Sequence, residues 1–184
     1  VCSLDALENY FITQGREWER YAWIKSRVMN SGPNADGAAL GEWMLALRRI
    51  SRPFVFRKYL DFGAINAMRD LHAQIRREVA RKDKVDHIKL GPGGIREIEF
   101  IAQVFQLIRG GRDAALQIRP TLSVLKLLAE RKLIPPETES ELREAYVFLR
   151  RVEHRLQYVE DKQTHMLPEE DDARASLARS MDFA

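Results

Sequence analysis

Apolar residues recur at intervals of three and four along most of this 184-residue chain, and this spacing constrains the fold more than any other feature. In residues 95–109, Ile98, Ile101 and Phe105 would lie on one face of a helix. Faces of this kind are buried when helices pack against one another. Residues 85–90 are the only candidate for a strand. The sequence therefore predicts an all-α fold, a multi-helix and bundle-like helical domain.

Capping and breaking residues predict where the helices begin and end. Ser3 is a typical N-cap, and Gly15 would end the first helix. Pro53 disfavours helix in the residue before it, so we expect a break there. Gly110 would stop the helix that begins at Ile95. The predicted helices span about residues 3–14, 16–29, 38–50, 54–60, 61–79, 95–109, 121–131, 136–162 and part of 168–184.

The composition indicates a folded and charge-rich protein, with 45% hydrophobic and 31% charged residues. No apolar run approaches the roughly 20 residues of a membrane helix, and no signal peptide opens the chain, so we expect a cytoplasmic protein without a membrane partner. The single cysteine excludes an internal disulfide. A net charge of +3 is too slight to indicate nucleic-acid binding.

The aromatic residues expected in the core are Trp18, Trp43, Phe62, Phe105 and Phe148.

A glycine-rich block at residues 88–100 interrupts the helical pattern with residue types that suit phosphate chemistry. Glycine lets the backbone approach a ligand, and a helix start offers N–H groups to an anion. Ordinary turn punctuation is the alternative, since Gly-Pro-Gly-Gly often marks a loop. The block matches neither a Walker loop nor a dinucleotide fingerprint. The binding candidates in this block are Lys89, Gly93, Gly94, Arg96, Glu97 and Glu99.

A second polar cluster lies in residues 15–27, where aromatic and charged residues alternate. Lys25 would share a helix face with Trp18 and Tyr21, and a lysine on such a face needs a partner or a ligand. Arg20 and Arg27 would line the neighbouring face. Alternatively, Lys25 extends its amine to solvent and the arginines pair with nearby glutamates. We take Arg20, Lys25 and Arg27 as further candidates for substrate or phosphate binding.

The chain lacks the patterns of the common catalytic and metal sites. It contains no Asp-x-Asp, His-Glu-x-x-His, Glu-x-x-His or Gly-x-Ser-x-Gly motif. Glu97 and Glu99 are two residues apart, and side chains at this spacing point in nearly opposite directions on a helix. We therefore predict no catalytic residue and no metal ligand in this chain.

Four stretches of the sequence resemble one known family. They read LDALENYFITQGREWERYAWIKSRVM, RPFVFRKYLDF, IKLGPGGIREIEFIAQVFQLIRGGR and AYVFLRRVEHRLQ. They are similar to the N-terminal, adenylyl-removing half of the bifunctional glutamine synthetase adenylyltransferase/adenylyl-removing enzymes. A related helical block occurs in the uridylyltransferase that modifies the PII signal protein. The resemblance covers nearly the whole chain, and GGIREIEF is its most specific part.

This resemblance implies a nucleotidyltransferase of the DNA-polymerase-β type that regulates nitrogen assimilation. Such an enzyme adds AMP to a tyrosine of glutamine synthetase and removes it by phosphorolysis, yielding ADP. The implied cofactor is Mg²⁺, the implied substrates are ATP, ADP and phosphate, and the implied partners are glutamine synthetase and PII. The family's catalytic carboxylates, which bind the metal, should lie outside this chain. We therefore expect the chain alone to be inactive.

The resemblance also implies a domain division. Residues 1–50 would be helices adjoining the catalytic core, and residues 51–184 a helical bundle domain truncated at its C-terminus. Two other functions stay open: a non-catalytic interaction module that receives the PII signal, and a nucleic-acid-binding helical domain, which the mild basicity permits and nothing requires.

Overall fold

A computed structural model describes residues 2–28, 37–59, 86–158 and 164–183, together with seven single positions between 63 and 77. The side chains of residues 37–40 are not included in that description. The predicted helix at 61–79 lies mostly outside the described residues, and its described positions, 63, 66, 69, 70, 73, 74 and 77, are helical.

The described part of the chain is built from helices, which confirms the all-α prediction. Its only β-type pairing is a single bridge between His87 and Met166, so the candidate strand at 85–90 does not form in the described residues 86–90. A short 3₁₀ turn, Ala114–Leu116, follows the fourth helix. The helices are α1 (Leu4–Thr13), α2 (Glu17–Trp23), α3 (Gly37–Val55), α4 (Ile95–Arg109), α5 (Thr121–Glu130), α6 (Pro136–Tyr158) and α7 (Asp171–Ser180).

The chain forms two compact units. The first comprises residues 1–69 and 103–120, and the second comprises residues 70–102 and 121–184. The predicted division after residue 50 refers to a catalytic core outside this chain and stays a prediction.

Aromatic side chains hold α1, α2 and α3 together in the first unit. The ring of Phe11 stacks on that of Phe54, with centroids 4.2 Å apart, and Trp23 meets Phe11 edge-on at 5.1 Å. The edge-on contact between Trp23 and Phe11 is one of the geometries that aromatic pairs prefer. Gly15 is needed at this contact, because a Cβ atom there would come within 2.5 Å of the Phe54 ring.

The second unit packs around α6. Helix α5 contributes Val124, Leu125 and Leu128, none of which is exposed to solvent. A second apolar group of this unit contains Ile88, Val152, Leu156 and Met181, with Leu149, Leu167 and Leu177 packed against it. Burial of each such side chain contributes about 1.5–3 kcal/mol to stability.

Helix α2 ends at Trp23, so the predicted extension to residue 29 is wrong. The N–H of Lys25 donates to the Ala22 carbonyl, and the N–H of Ser26 donates to the Trp23 carbonyl. The Ser26 hydroxyl also donates to the Trp23 carbonyl, at 2.8 Å. These short-range bonds occupy the carbonyls that a continuing α-helix would offer to later N–H groups.

Helix α3 continues through Pro53, so the predicted break and the separate helix at 54–60 are both wrong. Proline cannot donate a hydrogen bond, so the Arg49 carbonyl lacks the N–H that another residue at position 53 would supply. Stacking of Phe54 on Phe11 favours this last turn, and the Phe56 N–H closes it by donating to the Arg52 carbonyl at 2.8 Å.

Three of the aromatic residues expected in the core are exposed, so the prediction is wrong for them. Trp18, Trp43 and Phe148 have 54%, 56% and 44% of their surface accessible. Phe105 is half-buried, and Phe62 lies outside the described residues. Helical spacing shows which residues share a face, but not which neighbours cover each part of that face.

None of the helices in the described ranges combines the length and the apolar character needed to cross a membrane.

Gln106 is a buried polar link in the first unit, and we predict that its loss destabilises the chain. Its Nε2 donates to the carbonyl oxygens of Leu116 and Ile118, both at 2.6 Å. Gln106→Met would leave these carbonyls without their donor, at an expected cost of about 2 kcal/mol. Gln14→Met, at an exposed position, is the control and should change stability by less than about 0.5 kcal/mol. Urea unfolding followed by circular dichroism would contradict the prediction if both variants matched the wild type.

The junction of α1 and α2 should make stability depend on pH. The Tyr10 hydroxyl donates to one carboxylate oxygen of Glu19 at 2.7 Å, and the Arg16 N–H donates to the other at 2.8 Å. These bonds, the tyrosine bond first, lower the pKa of Glu19. A lowered pKa stabilises the fold above the ordinary glutamate pKa of about 4.3, and this stabilisation is lost as the pH falls through the lowered value.

We therefore expect Tyr10→Phe to destabilise the chain at neutral pH and the difference from wild type to shrink on acidification. Urea midpoints measured at several pH values test this. Tyr158→Phe, at a position that is 80% exposed, is the matched control. If the loss of stability in Tyr10→Phe stayed constant down to strongly acidic pH, it would come from altered packing and not from the hydrogen bond to the Glu19 carboxylate.

Candidate functional site

The glycine-rich block forms a tight loop whose shape depends on two glycines. Gly93 has a φ of +71°, a conformation that side-chain-bearing residues rarely adopt. The Gly93 N–H donates to the Glu97 carboxylate at 2.9 Å. A Cβ atom on Gly94 would lie 2.7–2.9 Å from the carbonyl oxygens of Ile88, Lys89 and Gly91. The sequence Gly-Gly is therefore required by the backbone path itself.

The N–H groups at the start of α4 have partners inside this loop. Those of Ile95 and Arg96 donate to the carbonyls of Ile88 and Lys89, at 3.1 and 3.0 Å, and Gly94 donates to Gly91 at 3.0 Å. Any phosphate bound through these groups would have to displace existing hydrogen bonds. Phosphate binding by Gly93 and Gly94 stays a prediction, and closing the loop onto α4 is the role that their geometry supports.

Lys89 reaches a buried carboxylate on α6. The Glu153 side chain is 4% exposed, and its oxygens lie 2.6 Å from Arg150, 3.0 Å from His165 and 3.5 Å from Lys89. The Lys89 amine also lies 3.4 Å from the His165 ring nitrogen. Since the Lys89 side chain remains 37% exposed, it can also contact a molecule in solution.

Arg96 and Glu99 form a second link to α6. Arg96 lies 3.9 Å from Glu99, and the Tyr146 hydroxyl donates to Glu99 at 3.2 Å. Burial raises the pKa of Tyr146. Glu97 thus accepts a hydrogen bond from the loop backbone, whereas Glu99 accepts one from Tyr146 of α6. The block as a whole is fastened to α6 at Glu153 and Tyr146.

The three candidates from the second polar cluster have different surroundings. Arg20 is buried, donates to the Val55 carbonyl at 3.0 and 3.2 Å, and pairs with Glu17. Burial lowers the pKa of Arg20, and Glu17 opposes that shift. The Lys25 amine donates to the Arg119 carbonyl. Arg20 therefore joins α2 to the end of α3, while Arg27 is exposed and lines a pocket.

This pocket, which we call the arginine pocket, has a volume of about 290 Å³ and lies in the first unit. Its described lining includes four arginines and no aspartate or glutamate. Ser26, Ser51 and Gln117 add polar atoms, and the rest of the lining is apolar. The arginines are Arg27, Arg48, Arg52 and Arg119.

Sequence reasoning missed most of the residues that complete these two sites. Arg48 and Arg52 are spaced four apart without an acidic residue at helical spacing, and this signal could have indicated an unpaired basic face. Arg119 and Glu153 carried no such signal, because their importance depends on contacts with distant parts of the chain.

The described residues contain no group of three or more His, Cys, Asp and Glu side chains placed to hold a metal ion. The Mg²⁺ that the resemblance implies therefore finds no fitting ligand set in this part of the chain.

Two family models match the chain. The model described as GlnD PII-uridylyltransferase matches residues 69–184, and the one described as glutamate-ammonia ligase adenylyltransferase matches residues 1–41. The chain belongs to the family that the first model describes. The glycine-rich block, the Glu153 cluster and α4 to α7 all fall within residues matched by that model.

Curated relatives confirm the predicted resemblance to the bifunctional glutamine synthetase adenylyltransferase/adenylyl-removing enzymes. The chain is 66% identical over 183 residues to that enzyme of Aromatoleum aromaticum, covering 100% of the chain and 18% of the relative. It is 62% identical over 181 residues to that of Nitrosomonas europaea, covering 98% and 19%. It is 58% identical over 184 residues to that of Chromobacterium violaceum, covering 100% and 19%. The chain thus spans about a fifth of the length of these relatives.

We predict unequal effects when the glycines of this family's block are replaced by alanine. Gly93→Ala should cost about 1–2 kcal/mol, because the space is open and only the positive φ is strained. Gly94→Ala should cost more, because three backbone oxygens must move. Gly41→Ala is the control: it lies within α3 with no atom near the new Cβ, and should stabilise by about 1 kcal/mol. Equal urea midpoints for the Gly93 and Gly94 variants would contradict this.

Proposed function

We propose that this chain is the helical part of a bifunctional nucleotidyltransferase that modifies glutamine synthetase. The longer protein would add AMP to a tyrosine of glutamine synthetase and remove it by phosphorolysis, releasing ADP. The observation that carries this proposal is the 66% identity that extends over 100% of the chain. ATP, ADP and phosphate would be substrates, Mg²⁺ the cofactor, glutamine synthetase and PII the partners, and the cytoplasm the location.

This chain would position substrate groups, while another part of the longer protein would contact the reacting atoms. This assignment is supported by the absence of any carboxylate cluster suited to metal binding in the described residues. Two-metal phosphoryl transfer needs such carboxylates to hold the ions. It is also supported by the fixed geometry of the glycine-rich block, whose loop bonds to the start of α4 and whose side chains reach α6.

Lys89 and Arg96 are the residues of the block best able to meet a phosphate group. Their side chains are 37% and 46% exposed, and each is already oriented by a carboxylate, Glu153 or Glu99. A cation held in one orientation loses less entropy when it binds an anion. Arg96 can in addition offer two parallel hydrogen bonds to a phosphate. We propose that these two residues bind phosphate oxygens of the substrate during removal of AMP.

A second candidate function, an interaction module that receives the PII signal, is favoured by the surface of the second unit. An apolar groove of about 560 Å³ runs between α6 and α7, and Leu156, Leu167 and Leu177 line it. Grooves of this type accept amphipathic segments of partner proteins. If the chain has this function, substitutions in the groove, and not in the glycine-rich block, should impair it.

The test is made in the intact longer protein, with Lys89→Ala and Arg96→Ala. We expect both to lower phosphate-dependent release of ADP from adenylylated glutamine synthetase by about tenfold to a hundredfold, because a hydrogen bond to a charged group contributes about 1.5–3 kcal/mol. Adenylylation should be unaffected. Lys126→Ala is the control, because Lys126 is 75% exposed and its ion pair is with Glu130 on the same helix.

A further variant, Glu153→Gln, tests whether Lys89 binds the phosphate directly or only neutralises Glu153. If Lys89 acts only by neutralising Glu153, then Glu153→Gln should rescue the activity of the Lys89→Ala variant. Full removal of AMP by both Lys89→Ala and Arg96→Ala would show that the block is structural. Loss of response to PII with normal AMP removal after Leu177→Arg would instead favour the interaction module.

A further inference from the structure

The arginine pocket concentrates positive charge that no described lining residue neutralises. Arg27, Arg48, Arg52 and Arg119 line one volume of about 290 Å³, and its described lining contains no acidic residue. None of the four guanidinium groups forms an ion pair or hydrogen bond with another described residue. By contrast, two other arginines of the same unit, Arg20 and Arg57, both pair with Glu17.

The pocket is assembled from three separate segments that are held in place independently of any ligand. Arg48 and Arg52 are one turn apart on α3 and so lie on the same face of that helix. Arg27 follows α2, and Arg119 follows the 3₁₀ turn. The Lys25 amine fastens the latter segment by donating to the Arg119 carbonyl. Like charges brought together in this way repel, and a bound anion relieves the repulsion.

The surroundings of these arginines strengthen their attraction for an anion. Trp23, Met44 and Leu47 provide an apolar wall beside the charges, which lowers the local dielectric constant. The Ser51 hydroxyl adds a neutral hydrogen-bond donor. Guanidinium groups match phosphate oxygens with two parallel hydrogen bonds, a geometry that chloride cannot use.

We propose that the arginine pocket binds a small phosphate anion, either free inorganic phosphate or the phosphate chain of a nucleoside diphosphate. The pocket volume of about 290 Å³ lies just below the range for small-molecule sites, about 300–1,000 Å³, which favours a compact anion. The proposal assigns a second anion site, separate from Lys89 and Arg96, and it does not depend on the reaction proposed above.

The experiment is site-resolved protection from phenylglyoxal in the intact longer protein, with modified arginines identified by mass spectrometry. Inorganic phosphate and ADP are the two probes, each compared with potassium chloride at equal ionic strength. We expect at least about fivefold slower modification of Arg48 and Arg52 at saturating probe, as for a charge-assisted contact that shields the group. Arg49 is the internal control, because it is exposed on the same helix and does not line the pocket.

Each outcome decides between the alternatives. Protection by phosphate identifies the free anion, and protection by ADP alone identifies the nucleotide's phosphate chain. Protection by neither probe, or equal protection of Arg49, overturns the proposal. In the double variant Arg48→Gln/Arg52→Gln, protection of Arg27 and Arg119 should require at least about tenfold more probe. Unchanged protection in that variant would place the anion elsewhere, whatever the protein's activity toward glutamine synthetase.

Discussion

The carboxylate of Glu153 has to be neutralised inside the second unit, and the glycine-rich block supplies part of that neutralisation. An unpaired carboxylate at 4% exposure would cost several kcal/mol. Arg150 comes from the same helix, whereas Lys89 and His165 come from distant segments. Pairing with Glu153 therefore fixes two loops against α6 at once.

This constraint explains why the loop before α4 needs its glycines. The loop has to bring Lys89 to Glu153 and then enter α4 with its first N–H groups already bonded to the carbonyls of Ile88 and Lys89. Only a residue without a Cβ fits at position 94, where three carbonyl oxygens converge, and only glycine adopts the φ of +71° at Gly93 without strain. The most specific stretch of the sequence thus has a structural role, since it connects the loop that carries Lys89 to α4.

Local signals in the sequence were sufficient for some helices and not for others. Helix α4 could be placed correctly because Gly94 and Gly110 mark its two sides, and α1 because Ser3 caps it and Gly15 follows it. Helix α2 was predicted too long because the Ser26 hydroxyl competes for a backbone carbonyl, which composition does not reveal. The helix break at Pro53 was predicted from local propensity, and packing of Phe54 on Phe11 outweighs that propensity.

The candidate sites show a similar division between local and distant information. The block around Lys89 and Arg96 was visible in the sequence because its residues are contiguous, but their partners on α6, Glu153 and Tyr146, were not. Of the four arginines that line the arginine pocket, only Arg27 is a candidate from the sequence. The pocket's other cations come from α3 and from the loop after the 3₁₀ turn, and no sequence pattern joins these segments.

The arginines of the first unit differ in how deeply they are buried and in how many described residues they bond to, and these differences separate two roles. Arg20 is 2% exposed and its donors are directed at the Val55 carbonyl and Glu17, so its charge already stabilises the junction of α2 and α3. Arg48 and Arg52 are exposed, and no described residue neutralises them. A charge whose hydrogen-bonding capacity is already used inside the fold has little left for a ligand, whereas an unneutralised group of charges gains the full interaction when an anion arrives. By this criterion the arginine pocket, which forms only when the first unit folds, offers anion-binding groups that lie outside the glycine-rich motif.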